Sequence, residues 1–140
     1  PSGGALYPIE LTLSIQRVEG VLPGLYHYQV GKHQLVQLTS GHFSQTLFAA
    51  GLEQEMLAQA AVVLIQSAVF NRSRAKYGER GMRYLYMESG HISQNIYLQA
   101  VSLGLASALA GAFYDDQVNA LLGLDGREVA ALSLHGVGVP

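Results

Sequence analysis

Three stretches of this chain carry residue types suited to chemistry. The first is Pro1-Ser2-Gly3-Gly4-Ala5-Leu6-Tyr7-Pro8, where two prolines bracket a Ser-Gly-Gly turn. Glycine has no Cβ, so the backbone here can bend sharply or lie close against a flat surface. A polar, glycine-rich turn that runs straight into a strand suits a planar ligand; its plainer use is an ordinary loop. The second is Arg72 to Arg83, which holds five of the eight Lys and Arg residues: Arg72, Arg74, Lys76, Arg80 and Arg83. Arg72, Arg74 and Arg80 are candidates for holding an anion, while Arg83 has Glu79 at helical spacing; a solvated basic loop is the commoner outcome. The third is Asp115-Asp116. A general-acid role is conceivable there, but the first turn of a helix, where the macrodipole favours carboxylates, accounts for the pair better.

Other chemistries are closed off by composition. The chain has no cysteine, which excludes disulfides, thiolate metal sites and cysteine nucleophiles. Its five histidines are scattered without ligand spacing, so no metal site is expected. A net charge of −2 gives no nucleic-acid-binding footprint. Hydrophobic residues make up 49% and charged residues 13%, enough for a core but thin for a fully solvated surface. A face covered by a partner, most simply a second copy, accounts for that deficit. Ser89 to Tyr114 lacks Asp, Glu, Lys and Arg, yet His91, Gln94, Asn95 and Gln99 interrupt it and Gly104 breaks it. It reads as a buried helix followed by a buried strand, with no membrane span. No signal-peptide pattern argues for export, and a cytoplasmic location is expected.

The elements that must position these residues follow from periodicity. Ile9 to Gln16 alternates apolar and polar residues, the mark of a half-buried strand. Leu25–Val30 and Gln34–Leu38 form a hairpin across Gly31-Lys32. Helical stretches lie around Leu47–Ala50 and Glu53–Gln59, and Ala60–Val69 is a central strand. Tyr84 to Leu103 is a long helix with Leu85, Ser89, Ile92, Ile96 and Leu103 along one stripe, Leu98 and Val101 widening it. Gln94 and Asn95 are expected inside it as buried amides with partners, and His91 as a core or interface histidine. A strand at Ala106–Ala110, a helix from Asp115 to Leu122 and a strand at Val129–Val137 complete the order. Residues 1–140 thus read as one α+β domain, a mixed sheet flanked by helices with a long central buried helix.

Four segments, in this order, carry a family resemblance: Pro1 to Pro8; Lys76-Tyr77-Gly78-Glu79-Arg80-Gly81; Glu88-Ser89-Gly90-His91-Ile92-Ser93-Gln94-Asn95; and Leu103-Gly104-Leu105 leading to Ala110-Gly111-Ala112-Phe113. Together they resemble the nitroreductase-like flavin enzymes, and within them the SagB-type dehydrogenases, which look like the oxidases that convert peptide thiazolines and oxazolines into thiazoles and oxazoles. The resemblance implies an FMN cofactor and a homodimer with a flavin near each subunit boundary. It puts Pro1, Ser2, Gly3 and Gly4 against the flavin ring, and Ala110, Gly111 and Ala112 at the ring's reactive N5 edge. Gly3 and Gly111 are therefore expected to approach one ring from two edges.

The same resemblance gives Lys76-Tyr77 a catalytic role. Aromatising an azoline needs a proton removed from one ring carbon and a hydride from the other, and the azoline oxidases use a Lys-Tyr pair for the proton. An ordinary lysine keeps its proton to about pH 10.4, so a lysine base needs its ammonium form disfavoured. The four neighbouring arginines supply like charge for that. Two departures bear on the FMN phosphate. The family's arginine-rich phosphate motif precedes the Pro-Ser turn, so a chain starting at Pro1 is expected to lack it, and Val139 stands where the family often has Arg. The substrate is expected to be a small molecule or a peptide. An NAD(P)H-dependent nitro- or quinone reductase is the rival within the enzymes, and a flavin-free scaffold of a peptide-modifying complex is the rival outside them.

Overall fold

The computed structural model describes all 140 residues. A 3-10 turn at Gly3–Ala5 leads into β1 (Ile9–Ile15), then the hairpin β2 (Gly24–Gln29) and β3 (Gln34–Ser40). Two short helices, α1 (Ser44–Ala50) and α2 (Glu55–Gln59), precede β4 (Val62–Val69). The chain continues through α3 (Phe70–Tyr77), α4 (Arg80–Ser102), β5 (Ala106–Ala110), α5 (Asp115–Leu122) and β6 (Val129–Gly138). The six strands form one sheet in the order β3-β2-β1-β4-β6-β5.

The α+β class and the long helix stand, but the sheet is antiparallel at every pairing where a mixed sheet was expected. The reason lies in one connection. β4, α4 and β5 form a crossover that returns β5 parallel to β4. β6 then inserts between the two and pairs with each, so the parallel strands never touch.

The two faces of the sheet are unlike. On one, Val63, Ile65, Leu134 and Ala110 meet Leu47, Ala50 and Leu57 of α1 and α2 and Val118 of α5 in the hydrophobic core. α4 packs on the other, where its contact with β4 is polar. Buried Gln66 donates from Nε2 to Ser93 Oγ at 2.8 Å and accepts from Ser89 Oγ at 2.9 Å. Ser89 and Ser93 stand one helical turn apart, so a single glutamine pins the helix to the sheet.

The long helix is buried along one stripe only, which corrects the expectation of a wholly buried element. Leu85 and Ser89 face inward, whereas Leu98, Val101 and Leu103 are exposed. Gln94 and Asn95 are exposed rather than buried, and so is His91. β5, expected to be buried, is a sheet edge with only Ala110 fully covered. On β1 the polar side of the alternation is the more buried one: Thr12 and Ser14 are inside, Leu11 and Leu13 half-covered. Leu11, Leu64, Ile92, Ile96 and Leu103 instead line an open apolar groove of about 700 Å³ beside α4. Within a single chain these apolar positions lack the cover their types call for. No helix is long and apolar enough to cross a membrane.

The edge strand is held by Tyr97 and His135. Tyr97 Oη accepts the Leu109 N–H at 2.9 Å, and its ring meets His135 edge-on at 5.1 Å. His135 is fully buried, with Nδ1 at 3.4 Å from Ser107 Oγ and no partner for Nε2. Burial pushes its pKa below the usual 6.5. The neutral ring is favoured in the fold, so the unfolded chain takes up this proton first as pH falls. The stabilisation is complete above 6.5 and is lost below it, down to the folded pKa. Thermal melts are expected to show a lower Tm at about pH 5.5 than at about pH 7.5, with His135→Gln narrowing that gap. A gap unchanged by the substitution would assign the acid sensitivity to other groups.

Candidate functional site

The Pro1–Pro8 turn is strained and well tied. Gly4 lies at φ +67°, where a glycine is at ease, but Ala5 (φ 55°) and Tyr7 (φ 46°) share that left-handed region. Each non-glycine residue there costs about 1–2 kcal/mol. Offsetting bonds surround them. Ala5 N–H donates to the Ser2 carbonyl at 3.1 Å, Tyr7 N–H to Ser2 Oγ at 2.9 Å, and Arg72 to the Tyr7 carbonyl at 2.7 Å.

The turn lies on the join between α3 and α4. A Cβ on Gly4 would strike the Tyr77 hydroxyl and come within 3.0 Å of Lys76 Nζ. A Cβ on Gly3 would sit 3.3 Å from Tyr84 Cβ. Within this chain the glycines therefore press against the Tyr77 hydroxyl and the base of the Tyr84 side chain, and the two tyrosine rings meet edge-to-face at 5.0 Å. Lys76 Nζ stands 5.4 Å from the Tyr77 ring centroid, a cation–π contact. The two helices meet closely because Gly81 has no side chain: a Cβ there would come within 2.8 Å of the Ser73 carbonyl oxygen. Lys76, Tyr77, Gly3 and Gly4 are thus brought into one place from segments more than seventy positions apart.

Beside them is a cleft of about 220 Å³ with Pro1, Ser2 and Gly3 on one side and Tyr84, Met87, Glu88 and His91 of α4 on the other. Glu88 is buried, and its Oε2 accepts the Ser2 hydroxyl proton at 2.7 Å. Tyr84, Met87, Glu88 and His91 fall at helical spacing, a signal that the more apolar stripe through Leu85 and Ile92 outweighs in the sequence.

The second bend lies elsewhere. The chain enters β1 and leaves β5 toward the same end of the sheet, but the two strands lie three spacings, about 14 Å, apart, and Ala110 is level with Thr12 instead of Ile9. Gly111 and Ala112 are exposed, Ala110 is buried, and none of the three borders the cleft. A Cβ on Gly111 would meet nothing within 4 Å. Gln54 Nε2 donates to the Ala112 carbonyl at 2.8 Å and fixes this bend to the loop between α1 and α2.

The basic segment is helical, not a loop. Arg72 pairs with Glu10 at 2.6 Å, and Arg74 reaches Glu79 at 3.5 Å and covers the Phe70 ring. Arg74, not Arg83, is therefore the partner of Glu79, and two of the three candidate anion ligands have their charge offset. Asp115 and Asp116 do occupy the first turn of a helix, α5.

For an FMN ring the cleft offers the backbone of Pro1 to Gly3, the Tyr84 ring and the Glu88 carboxylate, while Gly111 lies outside it. The cleft is smaller than the roughly 300–1,000 Å³ usual for an organic ligand. These residues suit the ring end of the cofactor; the phosphate end finds no lysine or arginine bordering the cleft.

This chain belongs to the nitroreductase family, which it matches over residues 1–139. It is 42% identical over 122 residues to the nitroreductase-like protein MJ1384 of Methanocaldococcus jannaschii, covering 87% of this chain and 62% of that protein. It is 33% identical to the microcin B17-processing protein McbC of Escherichia coli, across 99% of this chain and 53% of McbC. Among solved structures, a nitroreductase-like protein of Anabaena variabilis superposes with a TM-score of 0.91 at 33% identity, over all of this chain and 28% of that one. The E. coli microcin synthetase McbBCD, solved with truncated pro-MccB17 bound, superposes at 0.86 with 30% identity, over all of this chain and 55% of the matched one. The chain thus spans less than two thirds of the length of these relatives.

Proposed function

We propose that this chain is an FMN-dependent oxidoreductase domain of the SagB type, acting on a thiazoline- or oxazoline-type ring in a peptide, with its flavin site completed by a second copy. The observation that carries this reading is the meeting of Lys76 and Tyr77 with the Gly3-Gly4 turn. Under this reading, the pair proposed to handle the proton and the turn proposed to seat the ring share one place. Two further observations support it. Relatives named for processing microcin B17 and trifolitoxin match 99% and 95% of the chain. The exposed apolar face of α4 and the uncovered groove next to it suit a second copy.

Under this proposal, the backbone of Pro1 to Gly4 holds one edge of the ring, and Ala110 to Ala112, which do not border this cleft, reach a ring only in the two-copy assembly. FMN, when bound, supplies the two-electron acceptor, with dioxygen as the terminal oxidant. Lys76 Nζ takes the ring-carbon proton of the substrate, and the Tyr77 hydroxyl, at the same glycine, orients the amine and the substrate. The aromatic wall of Tyr84 excludes water from one side of the cleft. The direct test is to add FMN to the purified protein and follow flavin absorbance and fluorescence together with molar mass. Expected is a yellow, dimeric complex. A monomer that stays colourless with excess FMN would favour the flavin-free scaffold instead.

A further inference from the structure

We propose that Glu88 is a positioning residue that fixes the shape of the ring-seating turn through Ser2. The functional consequence rests on the FMN reading above; the relay itself rests on geometry. Ser2 is the hub of the turn. Its carbonyl accepts Ala5 N–H, its Oγ accepts Tyr7 N–H at 2.9 Å, and the same Oγ lies 2.7 Å from Glu88 Oε2. A hydroxyl has one proton to give. The carboxylate has none, so that proton points to Glu88.

The burial of Glu88 needs an explanation of its own. It is 6% exposed and no Lys, Arg or His lies within ion-pair distance of it. A carboxylate sheltered from water without a cation is unfavourable unless hydrogen bonds satisfy it. Nothing in the packing of α4 requires a charge there, and the side chain its carboxylate reaches belongs to the turn. The adjoining Ser89 points the other way, to Gln66 on β4. Neighbouring residues of one helix therefore reference the turn to the central strand of the sheet. Without Glu88 the strained backbone at Ala5 and Tyr7 loses the bond that orients its hub, and the amides of Gly3 and Gly4 lose their fixed direction. Ser2, which the family resemblance puts against the flavin, has its hydroxyl spent inside the protein and offers the ring only backbone.

The test compares Glu88→Ala, Glu88→Gln and Ser2→Ala with the unaltered protein. Two readouts are used: hydrogen exchange at the Tyr7 amide without flavin, and FMN affinity by fluorescence titration. Glu88→Ala and Ser2→Ala are each expected to speed Tyr7 exchange and weaken FMN binding by about tenfold or more. Glu88→Gln keeps an acceptor oxygen and is expected to hold both within about threefold. Ser2→Ala breaks the relay from the exposed end, so the comparison survives if Glu88→Ala misfolds. Tyr7 exchange untouched by Glu88→Ala would overturn the proposal even where Ser2→Ala speeds it, because Ser2 Oγ is itself the Tyr7 acceptor, as would a glutamine variant as damaged as the alanine one. An unaltered protein that binds no FMN overturns the flavin reading alone, because Tyr7 exchange still decides the relay.

Discussion

Lys76→Ala is expected to lower azoline dehydrogenation by about 10²- to 10⁴-fold, the usual contribution of a positioned general base. FMN affinity is expected to change by no more than about twofold, because the proposed ring contacts come from backbone elsewhere. The structure gives this variant little else to disturb: Lys76 is exposed, its Nζ lies over the Tyr77 ring, and it forms no ion pair. Lys76→Arg sharpens the test. Arginine keeps the positive charge but does not give up its proton near neutrality, so it restores an electrostatic role and not a basic one. Activity lost equally in both variants marks proton abstraction; activity retained by arginine marks charge alone. The same pair separates the azoline oxidase from a nicotinamide-dependent reductase, which takes its hydride from the coenzyme and needs no such base. Reductase turnover unaffected by Lys76→Ala, with no azoline oxidation in the unaltered protein, would replace the substrate assignment and leave the family membership as it is.

The sequence revealed the elements better than their surroundings. Periodicity located the hairpin around Gly31, the strand ending at Val69 and the long helix, because a buried stripe imposes its repeat on the residue types. What periodicity cannot carry is which face another chain covers. Leu98, Val101 and Leu103 read as core because they are apolar, yet in one chain they are exposed. On β1 the apolar residues pointed to the wrong face, since Thr12 and Ser14 lie on the buried side of the sheet. Lys76 and Tyr77 were legible only through resemblance, because their neighbour Gly4 is distant in sequence. Glu88 opens the Glu88-to-Asn95 segment. Its meaning depends on a tertiary contact with Ser2 across 86 positions, and no local pattern encodes that.

Gln66→Ala is expected to destabilise the fold by about 2–4 kcal/mol, combining two lost buried hydrogen bonds with a cavity between α4 and β4. For a chain of this size, each kcal/mol lowers Tm by about 3–5 °C, so thermal melts should shift by about 6–20 °C. The serines limit the damage somewhat, since each hydroxyl can turn back to a carbonyl of its own helix. Leucine at position 66 refills the space but leaves Ser89 and Ser93 facing an apolar wall. The triple substitution Gln66→Leu, Ser89→Ala, Ser93→Ala removes donors and acceptors together and is expected to recover most of the loss. That recovery would show that the network holds α4 in register more than it adds net stability. Register matters here because Glu88 and Tyr84 on the same helix form the cleft wall. The triple variant is therefore expected to melt near the unaltered protein but to bind FMN more weakly. A Gln66→Ala variant that loses less than about 0.5 kcal/mol would mean that the helix is held by its apolar contacts, and the site would then owe its geometry to Leu85 and Ala100 instead.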